Sequence, residues 1–168
     1  MKQYPPIQIV NQADKPIGSA SLEEIHTQGL RHRIVYIICE DPTGRILLQK
    51  RALDMSTYPG CWDISAAGHV DEGETYEAAA KRELQEELGL SGFTLQKVKN
   101  FYDETVFEGR HLNRFCQVYK TIVPADTQLQ PNPSEVTATQ WLTLDEIKQL
   151  NANNPDQIAA GIYQVLLT

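Results

Sequence analysis

The sequence predicts an α+β fold in which helices pack on a β-sheet, and three observations point to it. Short runs rich in β-branched and aromatic residues recur between turn residues, as at 33–40, 45–50 and 113–123. One strongly helical stretch, Thr75 to Leu88, interrupts them. Further helical stretches fall near both chain ends rather than in one block, which argues against a bundle or a sandwich. A length of 168 residues fits one domain with a real core, and contents of 41% hydrophobic and 22% charged residues are ordinary for a globular protein.

Taken in order, Ile7 to Asn11 reads as a short strand, followed by a turn over 13–18 with Pro16 and Gly18. Ser21-Leu-Glu-Glu begins a short helix with a capping pattern, and Gly29 stops it. Arg33 to Glu40 is a buried strand. Asp41-Pro-Thr-Gly44 is turn chemistry, so Arg45 to Lys50 is expected to pair with that strand as a hairpin. Trp62 to Ala66 reads as a strand and 68–73 as a polar loop. Thr75 to Leu88 is a helix closed by Gly89. Leu95 to Phe107 and Asn113 to Val123 are strands around Gly109-Arg110. After a polar loop over 124–133, Val136 to Leu142 is a last strand, and Leu144 to Leu150 and Gln157 to Leu167 are helical.

Bulk properties exclude several roles. No apolar run reaches the roughly 20 residues that a membrane helix needs. The start, Met1-Lys-Gln-Tyr-Pro-Pro6, lacks the apolar core of a signal peptide, so a cytoplasmic location is expected. Cys39, Cys61 and Cys116 are odd in number and widely spaced, which reads as reduced packing thiols. A net charge of -7 argues against a nucleic-acid polymer as partner, since such binding relies on Lys and Arg. A small phosphorylated substrate stays open, because a bound cation reverses the local field. Much of the negative charge lies between Asp71 and Glu87.

On a helix each residue advances about 100°. Glu83, Glu86 and Glu87 therefore share one sector, while Leu84 and Leu88 form an adjacent stripe that docks the helix. Such a face is either solvated or a site for a hard cation, for which carboxylate oxygens suit Mg²⁺ or Mn²⁺. The polar loop into the helix, Glu74 at its mouth, and Arg82 placed to grip a carboxylate bidentately favour a site.

These residues resemble the Nudix box. Gly68, Glu74, Arg82-Glu83, Leu84, Glu86-Glu87, Gly89 and Leu90 fill every specified position without insertion. Seven fixed identities would match by chance on the order of once per billion starting positions. Leu47 to Arg51, Pro59 to Trp62 and Trp141 to Glu146 resemble the family's flanking segments, extending the likeness over most of 30–150. The resemblance implies an α/β/α sandwich around a mixed sheet. It also implies a single domain over 1–168: an N-terminal extension 1–30, a core 31–150 and a C-terminal helix 156–168. The implied chemistry is attack of water on a phosphorus of a nucleoside diphosphate derivative or related organic diphosphate. By position, Glu83 and Glu87 would be metal ligands, with the Gly68 carbonyl, and Glu86 a further ligand or the group that deprotonates water. Glu74 and Arg82 would orient the loop and helix. Arg51, His69 and His32 are candidate substrate contacts, and Glu104 and Glu135 are candidate bases outside the box. Homodimer and monomer both stay open.

The first third also resembles the isopentenyl-diphosphate isomerase branch of that superfamily, through Glu23 to Arg33, Arg51-Ala-Leu53 and Gly68-His69. In that branch the resemblance implies metal-binding histidines, matched here by His32 and His69 and approximately by His26. It also implies a catalytic cysteine, where this chain has Ala67, and a pair of glutamates, where it has Leu112 and Arg114. An isomerase-like framework with hydrolase chemistry is the expectation. The competing readings are an isomerase and a non-catalytic nucleotide-binding regulatory module. His32 and His69 either meet substrate or metal, or respectively satisfy a backbone carbonyl and order the loop.

Overall fold

The computed structural model describes residues 3–168; Met1 and Lys2, which open the segment read as leader-free, lie outside them. Strands β1 (Ile7–Val10) and β2 (Pro16–Ala20) form an antiparallel hairpin. The turn expected over 13–18 is shorter than that. Asn11 Oδ1 accepts from the backbone N–H groups of Ala13 and Lys15, and an edge strand starts at Pro16, where a proline at the first position costs no ladder bond. Helix α1 (Leu22–Gln28) has the expected capping box between Ser21 and Glu24, and Gly29 ends it at φ 65°.

The long central strand β3 (His32–Glu40) runs parallel to β8 (Arg110–Ile122) from His32 to Glu40, and antiparallel to β6 (Ala66–His69). Beyond the expected turn, β4 (Ile46–Arg51) meets β3 only at Glu40 and Ile46, so the expected hairpin exists only at its mouth. Beyond it, β4 pairs with β9 (Val136–Leu142) and β5 (Trp62–Asp63). Ser65 shows why the strands part. Its hydroxyl accepts from Cys39 N at 2.8 Å and donates to the Leu47 carbonyl at 2.6 Å, so it fills the ladder position between β3 and β4. The segment read as one strand, Trp62 to Ala66, is accordingly two, β5 and β6, broken at Ile64 and Ser65. Gly68 and His69, expected in a loop, are strand residues for the same reason.

Alternation along β3 makes two cores. Val35, Ile37 and Cys39 face α2 (Tyr76–Leu88), which docks through Ala80, Leu84 and Leu88. Ile34, Tyr36 and Ile38 face α3 (Leu144–Asn153) and α4 (Ala160–Leu166), through Ile147, Ile162 and Val165. The result is the expected α/β/α arrangement around a mixed sheet. β7 (Gln96–Phe107) and β8 form the expected hairpin, with Glu108 and Gly109 at φ 47° and 78° in its turn. The C-terminal helix is shorter than expected. A 3₁₀ turn at Pro155–Gln157 precedes it, and Ile158–Ala159 runs extended because Ala159 N donates to the Trp62 carbonyl. Among the described residues no helix is long and apolar enough to cross a membrane.

Ser65→Ala removes a buried donor and acceptor at once and leaves the Cys39 N–H and Leu47 carbonyl facing each other unpaired. A loss of about 1–3 kcal/mol in urea unfolding is expected, with little change in the slope of the transition.

Candidate active site

Helix α2 is capped by Thr75, whose side chain accepts from Ala78 N, and it carries its carboxylates at two depths. Glu83 and Glu87 are buried, at 6% and 5% exposure, beside the leucine stripe. Glu86 stands at the rim with its side chain 42% exposed. The sector expected to hold three equivalent carboxylates thus holds a buried pair and an outer partner. Strand β6 makes room for the pair. A Cβ at position 68 would fall on the Glu83 carboxyl group, so only glycine lets that carboxylate lie against the strand backbone.

Arg82 joins the pieces. Its Nε and Nη2 donate to the two Glu74 oxygens at 2.8 and 2.9 Å. Nη1 donates to Glu83 Oε1 at 2.7 Å and, more weakly, to Glu86 Oε2 at 3.4 Å, while Nη2 also reaches the His69 carbonyl at 2.9 Å. The bidentate partner is therefore Glu74 rather than one of the clustered glutamates. Partial burial works to raise the Glu74 pKa, but the Arg82 bonds and the Asp71 N–H outweigh it and hold the carboxyl below its ordinary value. Glu87 lies on the other side of the balance. Burial first, and the Glu83 charge second, push its pKa well above the usual carboxylate range, against the hydrogen bond donated by Gln49 Nε2.

That pair fits a divalent cation by its chemistry. The donors are oxygens, and the ionised form of Glu87 pays a repulsive cost that a cation would remove. Among the described residues no three His, Cys, Asp or Glu side chains stand as a closed ligand set, and Arg82 and Gln49 hold the carboxylates meanwhile.

The pair opens into a cleft of mixed chemistry. Gly68, Glu83, Glu87 and Glu135 line it together with His26, His32, His69, Arg51 and Arg114. Of the residues picked from the sequence, His32, His69 and Arg51 share this cleft. Glu86, Glu74 and Arg82 lie outside the lining, where Arg82 ties the other two to Glu83. Glu104 lies on β7 outside the lining, whereas Glu135 is buried within it. Arg51 donates to the Thr57 carbonyl at 2.9 Å and pairs with Asp63 at 3.2 Å; burial raises the Asp63 pKa, and Arg51 offsets part of it. His32 is wholly buried, with Nδ1 at 2.9 Å from the Leu30 carbonyl, and its ring lies 5.5 Å from that of His69.

Sequence reasoning overlooked Asp63, Tyr36 and Asp103, and saw in Arg114 only a missing glutamate. Arg114 pairs across the β7–β8 ladder with Asp103. The available signal was two opposite charges on predicted adjacent strands. None of the cysteines lines the cleft: Cys39 and Cys116 are buried, as expected of packing thiols, whereas Cys61 is only partly buried, its thiol facing the Asp156 carbonyl. Among the aromatic residues nearby, Tyr58 lines the cleft, whereas Phe101 packs on Tyr36 and Tyr102 on Phe115. Lys50 lies over the Trp62 ring and is not part of the lining.

Comparison with known proteins places this geometry. The NUDIX domain family model matches residues 30–161. The chain is 33% identical over 159 residues to the isopentenyl-diphosphate Δ-isomerase of Serratia proteamaculans, covering 94% of this chain and 87% of that one. It is also 33% identical over 155 residues to an Escherichia coli protein described as uncharacterized Nudix hydrolase YfcD, covering 92% and 83%. Among solved structures, DR0079 from Deinococcus radiodurans superposes with a TM-score of 0.74 over 89% of this chain and 90% of that one, at 24% identity, a likeness that speaks to the fold alone.

The Glu74–Arg82 pair has a defined pH signature. Because the folded-state pKa of Glu74 lies below its ordinary 4.5, its contribution is full above that pH and is lost as pH falls through the lower, folded value. Glu74→Gln should be less stable than wild type near neutrality, and the difference in thermal midpoint should shrink as the pH is taken below 4.5.

Proposed function

The chain belongs to the Nudix family, and on that premise we propose that its cleft hydrolyses a diphosphate linkage in a nucleoside diphosphate derivative or related organic diphosphate, with Mg²⁺, or Mn²⁺ in its place, as cofactor. The observation that carries this reading is the buried pair Glu83 and Glu87, with Glu83 pressed against Gly68, in a cleft that Arg51 also lines.

Each residue then has a physical task. Glu83, Glu87 and the Gly68 carbonyl hold the cation, with Glu86 as a further ligand or as acceptor of the proton from water. When bound, the ion neutralises charge on phosphate oxygens and lowers the pKa of water. Arg82 and Glu74 fix the slope of α2 against β6, so the carboxylates need no rearrangement at the moment of reaction. Arg51, held in place by Thr57 and Asp63, presents its cation to the phosphates. For a base outside the box, Glu135 is favoured over Glu104 by its place in the lining.

The isomerase reading fares less well in the same cleft. No thiol lines it, and Ala67, Leu112 and Arg114 occupy the positions from which that chemistry would be supplied. A purely binding module would have no use for Glu74, Glu83, Glu86 and Glu87 together. A small-molecule substrate in the cytoplasm, with no nucleic-acid polymer, fits the net charge of -7. We read residues 1–168 as one domain, since α1 through His26, the sheet, and α4 through Gly161 line one cleft.

The test is divalent-metal-dependent phosphate release, coupled to an added phosphatase, across nucleotide sugars, dinucleotides, nucleoside triphosphates and prenyl diphosphates. Glu83→Gln and Glu86→Gln should each lower turnover roughly a hundredfold or more with the fold intact by circular dichroism. Near-normal turnover in both overturns the assignment. Gly68→Ala adds one methyl group where the Glu83 carboxylate lies, so it should weaken metal binding, read by calorimetry, along with activity.

A further inference from the structure

The sheet face opposite α2 has its own chemistry. His32 pairs in register with Arg114, and Ile34, the next residue of β3 on that face, pairs with both His69 and Cys116. Paired residues point to the same side of a sheet, so His32, His69 and Arg114 share this face, and all three line the cleft. Within that group His32 carries an unmet demand. Its Nδ1 lies 2.9 Å from the Leu30 carbonyl, which can only accept, so the proton sits on Nδ1. Burial, with the nearby Arg114 charge adding to it, pushes its pKa down to about 4, and the ring is neutral near pH 7. Nε2 therefore bears a lone pair, and this atom is buried with no hydrogen-bond partner among the described residues. A buried acceptor left unpaired costs about 1–3 kcal/mol. A phosphate oxygen cannot meet it, since that too is an acceptor. A cation there would face Arg114.

Resting on the diphosphate-hydrolase reading, we propose that this group of residues is the subsite for the organic arm of the substrate, and that the arm presents a hydroxyl or N–H donor to His32 Nε2 and an oxygen to Arg114. The substrate is then a diphosphate with a polar, hydrogen-bonding arm, such as the sugar or base of a nucleoside diphosphate derivative, and not a hydrocarbon diphosphate. Asp103 engages Nε and Nη2 of Arg114, so the Nη1 edge of the guanidinium is the one left for the arm. Leu112 and Ile34 supply the apolar wall beside these two polar contacts. A site built to satisfy a substrate donor discriminates strongly against an analogue that lacks it, because the protein acceptor is then left unpaired.

The experiment is a nitrogen-15 NMR titration of wild-type protein labelled at histidine, with Mg²⁺ alone, inorganic pyrophosphate, a methylene-bridged prenyl diphosphate, and methylene-bridged nucleoside diphosphate sugars that resist cleavage. In free protein the His32 Nε2 signal should be that of an unprotonated nitrogen. It should move towards the hydrogen-bonded range with at least one nucleoside diphosphate sugar and stay in place with the other three probes. His32→Phe, which keeps the ring volume and removes the acceptor, should weaken binding of that sugar nucleotide about tenfold while pyrophosphate binding is unchanged. Movement of the signal with pyrophosphate or Mg²⁺ alone overturns the proposal, as does tighter binding of the prenyl probe than of every sugar nucleotide. So does equal weakening of both ligands in His32→Phe. The titration needs no turnover and no variant. An Nε2 response without phosphate release would therefore sink the hydrolase reading and leave the subsite standing, whereas turnover without a response would do the reverse.

Discussion

Five oxygen acceptors from three pieces of chain converge on the Arg82 guanidinium: both oxygens of Glu74, one each from Glu83 and Glu86, and the His69 carbonyl. Almost everything about the site depends on that convergence. Arg82 ties the end of β6 to α2 through a side chain that is planar and always charged, so the angle between strand and helix is set by fixed donor directions. It also compensates the charge of Glu83, which lies beside Glu87. A lysine could offer a charge but not a fork, and Glu74 and Glu83 could not both be held in line.

A second constraint opens the cleft. Helix α2 packs on one face of the sheet, while the histidines and Arg114 project from the other, and a continuous sheet would separate them. Ser65 breaks the continuity by taking the ladder position between β3 and β4. Gln49 on β4, on the same face as Leu47, donates to Glu87 on α2, and the carboxylates line the same cleft as His32 and Arg114. The two sets of groups behave oppositely. Burial and repulsion from Glu83 raise the pKa of Glu87, whereas burial with a neighbouring cation lowers that of His32. Near neutrality the carboxylate pair calls for a cation while His32 is neutral and Arg114 positive.

Much of this was legible because it is written in local signals. The α2 boundaries follow from Thr75, the helix-forming run and Gly89, and the α1 cap from Ser21 and Glu24, since caps are satisfied within a few residues. The box residues are legible for the same reason: an i, i+3, i+4 spacing needs no knowledge of the rest of the fold. What escaped depends on partners distant in sequence. That β3 and β4 separate turns on a serine some twenty residues away, and a serine between apolar residues carries no strand-breaking signal of its own. The unequal burial of Glu83, Glu87 and Glu86 turns on where the leucine stripe docks. β2 was hidden because Pro16 and Gly18 signal a turn, although an edge strand tolerates both. The C-terminal helix starts late because Ala159 spends its N–H on Trp62, a contact with no trace in the intervening sequence.

Arg114 shows how one substitution pattern can carry chemical meaning beyond the loss it first suggests. Set against the isomerase-like framework, Leu112 and Arg114 look like two carboxylates removed. A buried guanidinium is costly to keep, however, and this one is held by a cross-strand Asp103 that sits in register with it and is itself buried. The charge at position 114 also reaches its neighbours: behind burial, which acts first, Arg114 disfavours protonation of both His26 and His32. Where the isomerase-like framework implies carboxylates beside its histidines, this chain sets a guanidinium, and His32 is left a neutral hydrogen-bonding group near pH 7. That exchange of partner is what favours a polar organic group over a cation on this face of the sheet.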